Sequence, residues 1–151
     1  MDKTLHLVAV NKENWIQCVN LKVGENQRTN LASNIMTIAE SKFEEHFVLR
    51  AIKINDSIIG MLAYCPEIDV DDPGLYWLFR IMVDVSEQGK GYGKIAVATV
   101  IKEMTILGAN RVRTMCKPSN SAARSLYLGM GFHEINSLDD GDIVFEMKIN
   151  A

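Results

Sequence analysis

Three glycines at alternate positions, Gly89, Gly91 and Gly93, stand between an apolar strand-like run and an apolar helix-like run in VDVSEQGKGYGKIAVATVIKEM. A glycine loop feeding a helix N-terminus presents unobstructed main-chain N–H groups, and the helix macrodipole adds partial positive charge. The chemistry it suits is the holding of an anion, above all phosphate. The same glycines would also serve a plain, tight strand-to-helix turn. Two nucleotide motifs fail on these residues. A P-loop needs Gly-Lys followed by Ser or Thr, and Gly93-Lys94 is followed by Ile95. A dinucleotide fingerprint starting at Gly89 and Gly91 would need its third glycine at Lys94.

Other reactive side chains are sparse. Cys18, Cys65 and Cys116 form no CxxC pair and no cluster with histidine, so neither a disulfide framework nor a metal centre is expected. His6, His46 and His133 are far apart and read as ordinary. The net charge of -3 argues against a phosphate-backbone partner, so small molecules or proteins come before nucleic acid. No run reaches the roughly 20 apolar residues of a membrane span, and the N-terminus lacks the apolar stretch of a signal peptide. A cytoplasmic protein is expected.

The elements that must position the loop follow from periodicity. LHLVAV reads as a first strand, Asn11 as the N-cap of a helix through Trp15, Ile16 and Val19, and Ala32 to Ser41 as a second helix. FVLRAIKI and IIGMLAYC form a hairpin about Asn55 and Asp56. LYWLFRIMVDV is apolar at nearly every position, the pattern of a central strand covered on both faces. Beyond the loop, Val97, Val100, Ile101, Met104 and Leu107 recur at helical spacing until Gly108 and Asn110. RVRTMCK is a strand, NSAARSLYLGM a short helix and DIVFEMKI a last strand. Without repeats or linkers, residues 1–151 are expected to form one domain, an α/β layered structure with a mixed sheet and helices on both faces.

The run Gln88-Gly89-Lys90-Gly91-Tyr92-Gly93 resembles the (Gln/Arg)-x-x-Gly-x-(Gly/Ala) motif of the GNAT N-acetyltransferase superfamily. A second stretch, Asn120 to Phe132, resembles the same family's Asn-x-x-Ala-x-x-Leu-Tyr-x-x-x-Gly-Phe segment, in the right order and at the right distance. The resemblance covers most of the chain. It implies a mostly antiparallel sheet with a splayed central strand pair, and acetyl-coenzyme A as co-substrate without a metal. Main-chain groups from Gly89 through Lys94 would cradle the pyrophosphate, and the strand Ile81, Met82 and Val83 would pair with the pantetheine arm and supply the oxyanion donor. Asn120 and Ala123 would lie along the coenzyme, with Asn120 equally suited to N-cap its helix. Lys90 and Lys94 would help neutralise phosphate.

Acetyl transfer to an amine needs a neutral amine, a stabilised oxyanion and a proton for the departing thiolate. The resemblance places the proton donor at Tyr127; its ring is also suited to plain packing beside Ala123 and Met130 at helical spacing. No carboxylate occupies the central strand, where Phe79 and Arg80 stand, so water chains or Glu25 are left as the base or as a substrate-binding group. Arg80, within an apolar run, must pair with an acid or line the site.

The N-terminal half followed by YWLFRIMVD resembles bacterial spermine/spermidine acetyltransferases of the diamine type, which implies a polyamine acceptor. Glu25, Glu40, Glu44, Glu45, Glu67, Asp69, Asp71 and Asp72 agree with a polycationic substrate, although EIDVDD also reads as a solvated loop. An aminoglycoside, a protein N-terminus or a non-catalytic acetyl-coenzyme A sensor are the alternatives, and the resemblance also implies a homodimer.

Overall fold

The computed structural model describes residues 4–24 and 33–149. The strands are β1 (Leu5–Ala9), β2 (Val48–Ile54), β3 (Ser57–Pro66), β4 (Leu75–Val83), β5 (Arg111–Cys116), β6 (His133–Ser137) and β7 (Ile143–Lys148). The helices are α1 (Trp15–Val19), α2 (Asn34–Ser41), α3 (Tyr92–Ile106) and α4 (Ser121–Gly129). One seven-stranded sheet runs in the order β1-β2-β3-β4-β5-β7-β6. Its β4–β5 pair is parallel and its other pairs are antiparallel. This is the expected mixed α/β architecture.

Local chemistry accounts for the boundaries. The β2–β3 hairpin closes through Asn55, whose φ of 54° is one that asparagine tolerates. Ser33 caps α2 by accepting a hydrogen bond from Met36 N at 3.1 Å. Helix α1 starts later than its sequence suggests. Its N-cap is Asn14, because the Asn11 side chain instead accepts from the N–H groups of Glu13 and Asn14 in a turn ahead of the helix.

Amphipathicity then distributes the helices over the two faces. Ala96, Val97, Val100 and Met104 of α3 and Tyr127 of α4 bury against Leu62, Leu78, Val112 and Phe145 on one face. On the other, Cys18 of α1 packs with Ala51 and Met61, and Ile38 of α2 lies against them. Each fully buried aliphatic side chain contributes about 1.5–3 kcal/mol relative to exposure.

Central strand β4 loses a neighbour in its second half. The parallel pairing with β5 joins Leu75–Leu78 to Arg111–Thr114 and goes no further. A register shift in the β3–β4 pairing leaves Phe79 as the extra residue between Leu78 and Arg80, and such a bulge bends the strand. Beyond it Ile81, Met82 and Val83 remain paired with β3 alone, while β5 continues beside β7. The two central strands thereby part, and the hydrophobic run lines a gap. Thr114 marks the fork, its hydroxyl donating to the Leu78 carbonyl at 2.7 Å.

Candidate active site

The gap opens into a cavity of about 410 Å³. Strand alternation lets it cross the sheet. From one side it is lined by Ile81, Val83 and Cys116, which belong to the core beneath α3 and α4. From the other it is lined by Phe79, Arg80 and Met82, which face the α2 side of the sheet. There Arg80 lies 3.8 Å from Glu40, Asn34 Nδ2 reaches Met82 Sδ at 3.4 Å, and Phe79 stacks on Phe47 with ring centres 4.5 Å apart. Side chains from both faces of the sheet thus line one slot between the parted strands.

Main-chain polarity on the slot edge follows from the pairing. Asp84 N donates to Ile59 O of β3 at 2.7 Å, so the alternation of an antiparallel strand turns the main-chain groups of Val83 and Ile81 away from β3 and toward the slot. The Val83 carbonyl accepts from Gln88 Nε2 at 2.9 Å, which ties the end of β4 to the start of the glycine loop. The loop is anchored from below by Asp84. Its carboxylate caps the short 3-10 turn Val85–Glu87 through Ser86 and accepts from Lys22 N at 2.7 Å. Partial burial opposes ionisation of Asp84, but the hydrogen bonds from Ser86 and Lys22 together outweigh it and hold the carboxyl below its usual range.

Gly89 and Gly91 adopt φ values of 78° and 85°, a region that side chains rarely enter, and a Cβ at either would meet no atom within 4 Å. The positive φ values suit a tight turn, and at Gly89 and Gly91 the open space above the backbone lies on the wall of the slot. Gly91 is the N-cap of α3 and offers no side chain to its first-turn N–H groups. The first return bond into the loop is Ile95 N to Gly91 O at 3.3 Å. Donors of Tyr92, Gly93 and Lys94 thus stand at a helix N-terminus with the dipole behind them, an arrangement that fits a phosphate-bearing ligand.

Of the residues singled out in sequence, Ile81, Met82, Val83, Gln88, Gly89, Gly91, Tyr92, Gly93, Lys94, Asn120, Ala123 and Tyr127 all line this one cavity. Lys90 does not; its ammonium is held by Glu87 at 3.0 Å. Tyr92 sends its ring into the core. Asn120 caps α4, its side chain accepting from Ala123 N at 3.1 Å. Glu25 lies outside the described residues.

Tyr127 is both packed and placed at the slot. It is 3% exposed, with ring centres 5.5 Å from Phe132 and 5.8 Å from Phe145. Burial pushes its phenol up to about 12, against a smaller lowering by the nearby Thr114 hydroxyl. The proton is therefore retained at any ordinary pH. Arg80 combines the two roles open to it, lining the slot and facing Glu40.

Thr114, Cys116 and Asp142 also line the cavity and escaped the sequence reading. Thr114 carried a signal, being a polar residue on the buried side of the alternating β5. Asp142 carried none, since DDGD resembles any solvated turn.

A model of the acetyltransferase (GNAT) family matches residues 11–132. The spermine/spermidine N(1)-acetyltransferase of Bacillus subtilis strain 168 is 26% identical over 140 residues, 90% of this chain and 92% of its own. Among solved structures, aminoglycoside acetyltransferase AAC(6')-Ib in complex with paromomycin and acetyl-CoA has a TM-score of 0.80 at 16% identity, over 96% of this chain and 93% of its own. The ribosomal-protein-S18-alanine N-acetyltransferase of Escherichia coli has a TM-score of 0.74 at 20% identity, over 98% and 96%.

Proposed function

Because the chain belongs to the acetyltransferase (GNAT) family, an acetyl-CoA-dependent N-acetyltransferase, we propose that its acceptor is a polyamine such as spermidine or spermine and that Tyr127 is its proton donor. The observation that carries this reading is the slot itself, lined by an anion-ready loop, a buried phenol and side chains from both faces of the sheet. The coenzyme supplies an activated acetyl group as a thioester; this chain's residues have to hold it, orient the amine and manage protons.

The open main chain from Gly89 to Lys94 binds the pyrophosphate, and the unpaired edge of Ile81 and Val83 takes the pantetheine arm as an added strand. A main-chain N–H on that edge is positioned for charge developing on the thioester oxygen. Tyr127 supplies a proton to the departing sulfur. Its value of about 12 lies above the roughly 8.5 of a free thiol, so it acts first as a hydrogen-bond donor. A thiolate in the same dry slot is itself raised, which narrows the gap and lets the proton cross. The neutral amine attacks directly from the α2 side, without an acyl-enzyme, the C–S bond breaks, and the proton shed by the nitrogen leaves through water, which also returns a proton to Tyr127.

Support for a polyamine is the name of the Bacillus relative together with charge. Burial, with smaller electrostatic contributions from Glu67, Asp69 and Glu44, pushes the Cys65 thiol to about 11, the mark of an acidic neighbourhood. Glu40 adds an acid at the slot itself, 3.8 Å from the lining residue Arg80. Cationic acceptors are drawn to such acids.

The test is thiol release from acetyl-CoA with spermine, spermidine, a short diamine, an aminoglycoside and an N-terminal alanine peptide in parallel. Selective turnover of spermine and spermidine is expected. Preference for the aminoglycoside or the peptide would reassign the acceptor, and acetyl-CoA binding with no turnover of any amine would make the protein a sensor.

A further inference from the structure

Among the described residues two carboxylates line the slot, and they are in opposite states. Glu87 is engaged by Lys90 at 3.0 Å. Asp142 has one oxygen, Oδ1, that is buried and makes no hydrogen bond among the described residues. Its side chain is 18% exposed. Among the described residues the cation paired with it, Lys117 Nζ, is 4.0 Å away, too far for a hydrogen bond, and its own side chain is 44% exposed. Leaving a buried carboxylate oxygen without a donor is unfavourable, so the position calls for a ligand that brings N–H groups and positive charge.

The carboxylate is held ready for such a ligand. Asp142 N donates to Asp140 Oδ1 at 2.9 Å, and its carbonyl accepts from Leu138 N at 2.8 Å, so the turn before β7 is closed on both sides. Ile143 pairs with Cys116, which places Asp142 at the end of β5, on the far side of the fork from β4. Cys116, Tyr127 and Asp142 all line the slot. Arg80, the cation on the opposite strand, faces Glu40.

We propose that Asp142 is the acceptor-binding carboxylate, receiving a protonated nitrogen of the polyamine other than the neutral one that attacks the thioester. This rests on the amine acetyltransferase reading above and adds to it the residue that recognises the acceptor.

The experiment uses the full chain with spermidine as acceptor, comparing Asp142→Asn, Asp142→Glu and Lys117→Ala with the wild type. Asp142→Asn should raise the KM for spermidine roughly 10- to 100-fold, the loss expected for one charge-assisted hydrogen bond. Acetyl-CoA affinity, measured by calorimetry, should stay within about threefold, and thermal melting should show that the variant is folded. Asp142→Glu should recover part of the loss. If Asp142 merely pairs with Lys117 to hold the fold, Lys117→Ala will copy Asp142→Asn; if it binds the acceptor, Lys117→Ala will leave the KM unchanged or lower it. An unchanged spermidine KM in Asp142→Asn, a copying Lys117→Ala or a parallel loss of acetyl-CoA binding each overturns the proposal while the enzyme reading stands. A wild type that binds acetyl-CoA and acetylates no amine removes both.

Discussion

Replacing Tyr127 with phenylalanine separates chemistry from packing, because the ring contacts to Phe132 and Phe145 survive and only the hydroxyl is lost. The Thr114 hydroxyl keeps its bond to Leu78 O, so the change leaves that group satisfied and should cost about 1 kcal/mol of stability at neutral pH. Turnover should fall roughly 10²- to 10⁴-fold, the range for loss of a general acid, with acetyl-CoA affinity nearly unchanged. The same variant carries a second signature. The folded phenol sits at about 12 against an ordinary 10.0, so the folded state binds that proton more tightly. The resulting stabilisation is fully present below pH 10 and is lost as pH rises toward 12, for a total of roughly 3 kcal/mol. Urea unfolding followed across pH 9 to 12 should therefore show a shallower alkaline decline in Tyr127→Phe than in the wild type. Tyr64, also raised by burial and by Glu103, remains in both proteins and sets a common background. An equal loss of turnover and coenzyme affinity, or identical alkaline declines, would refute the reasoning.

The loop and the fork give two further expectations. Gly91→Ala places a side chain at a φ of 85° in open space, which should cost roughly 1–2 kcal/mol in stability and weaken acetyl-CoA binding only modestly. Gly91→Glu adds an anion at the cradle and should weaken binding at least about tenfold beyond the alanine variant, an excess that high salt reduces; equal affinities by calorimetry would exclude the loop as a phosphate site. Thr114→Val strips the buried Leu78 carbonyl of its donor, so urea unfolding should report a loss of roughly 1–3 kcal/mol, and an unaltered midpoint would mean that the fork is held by packing alone.

What the sequence by itself determined is the set of features built from neighbouring residues. The anion-ready main chain of Gly89 and Gly91 is a matter of φ angles that glycine alone adopts easily, and the N-caps of α2 and α4 come from Ser33 and Asn120 within one turn. The hairpin, the helix faces and the element order follow from periods of 2 and 3.6 in the same way. The motif around Tyr127 marked that residue, but its dual state, packed among aromatics yet lining the slot, was not readable. Tertiary structure decided the slot. It exists because pairing between β4 and β5 stops at Leu78–Thr114, a register set by strands that are distant in sequence. That parting turns an apolar strand into a cavity wall, brings Glu40 to Arg80, and places Asp142 from an ordinary-looking turn against Cys116 and the wall that holds Tyr127. A side chain's partners across the sheet depend on strand order and register, neither of which a local pattern encodes.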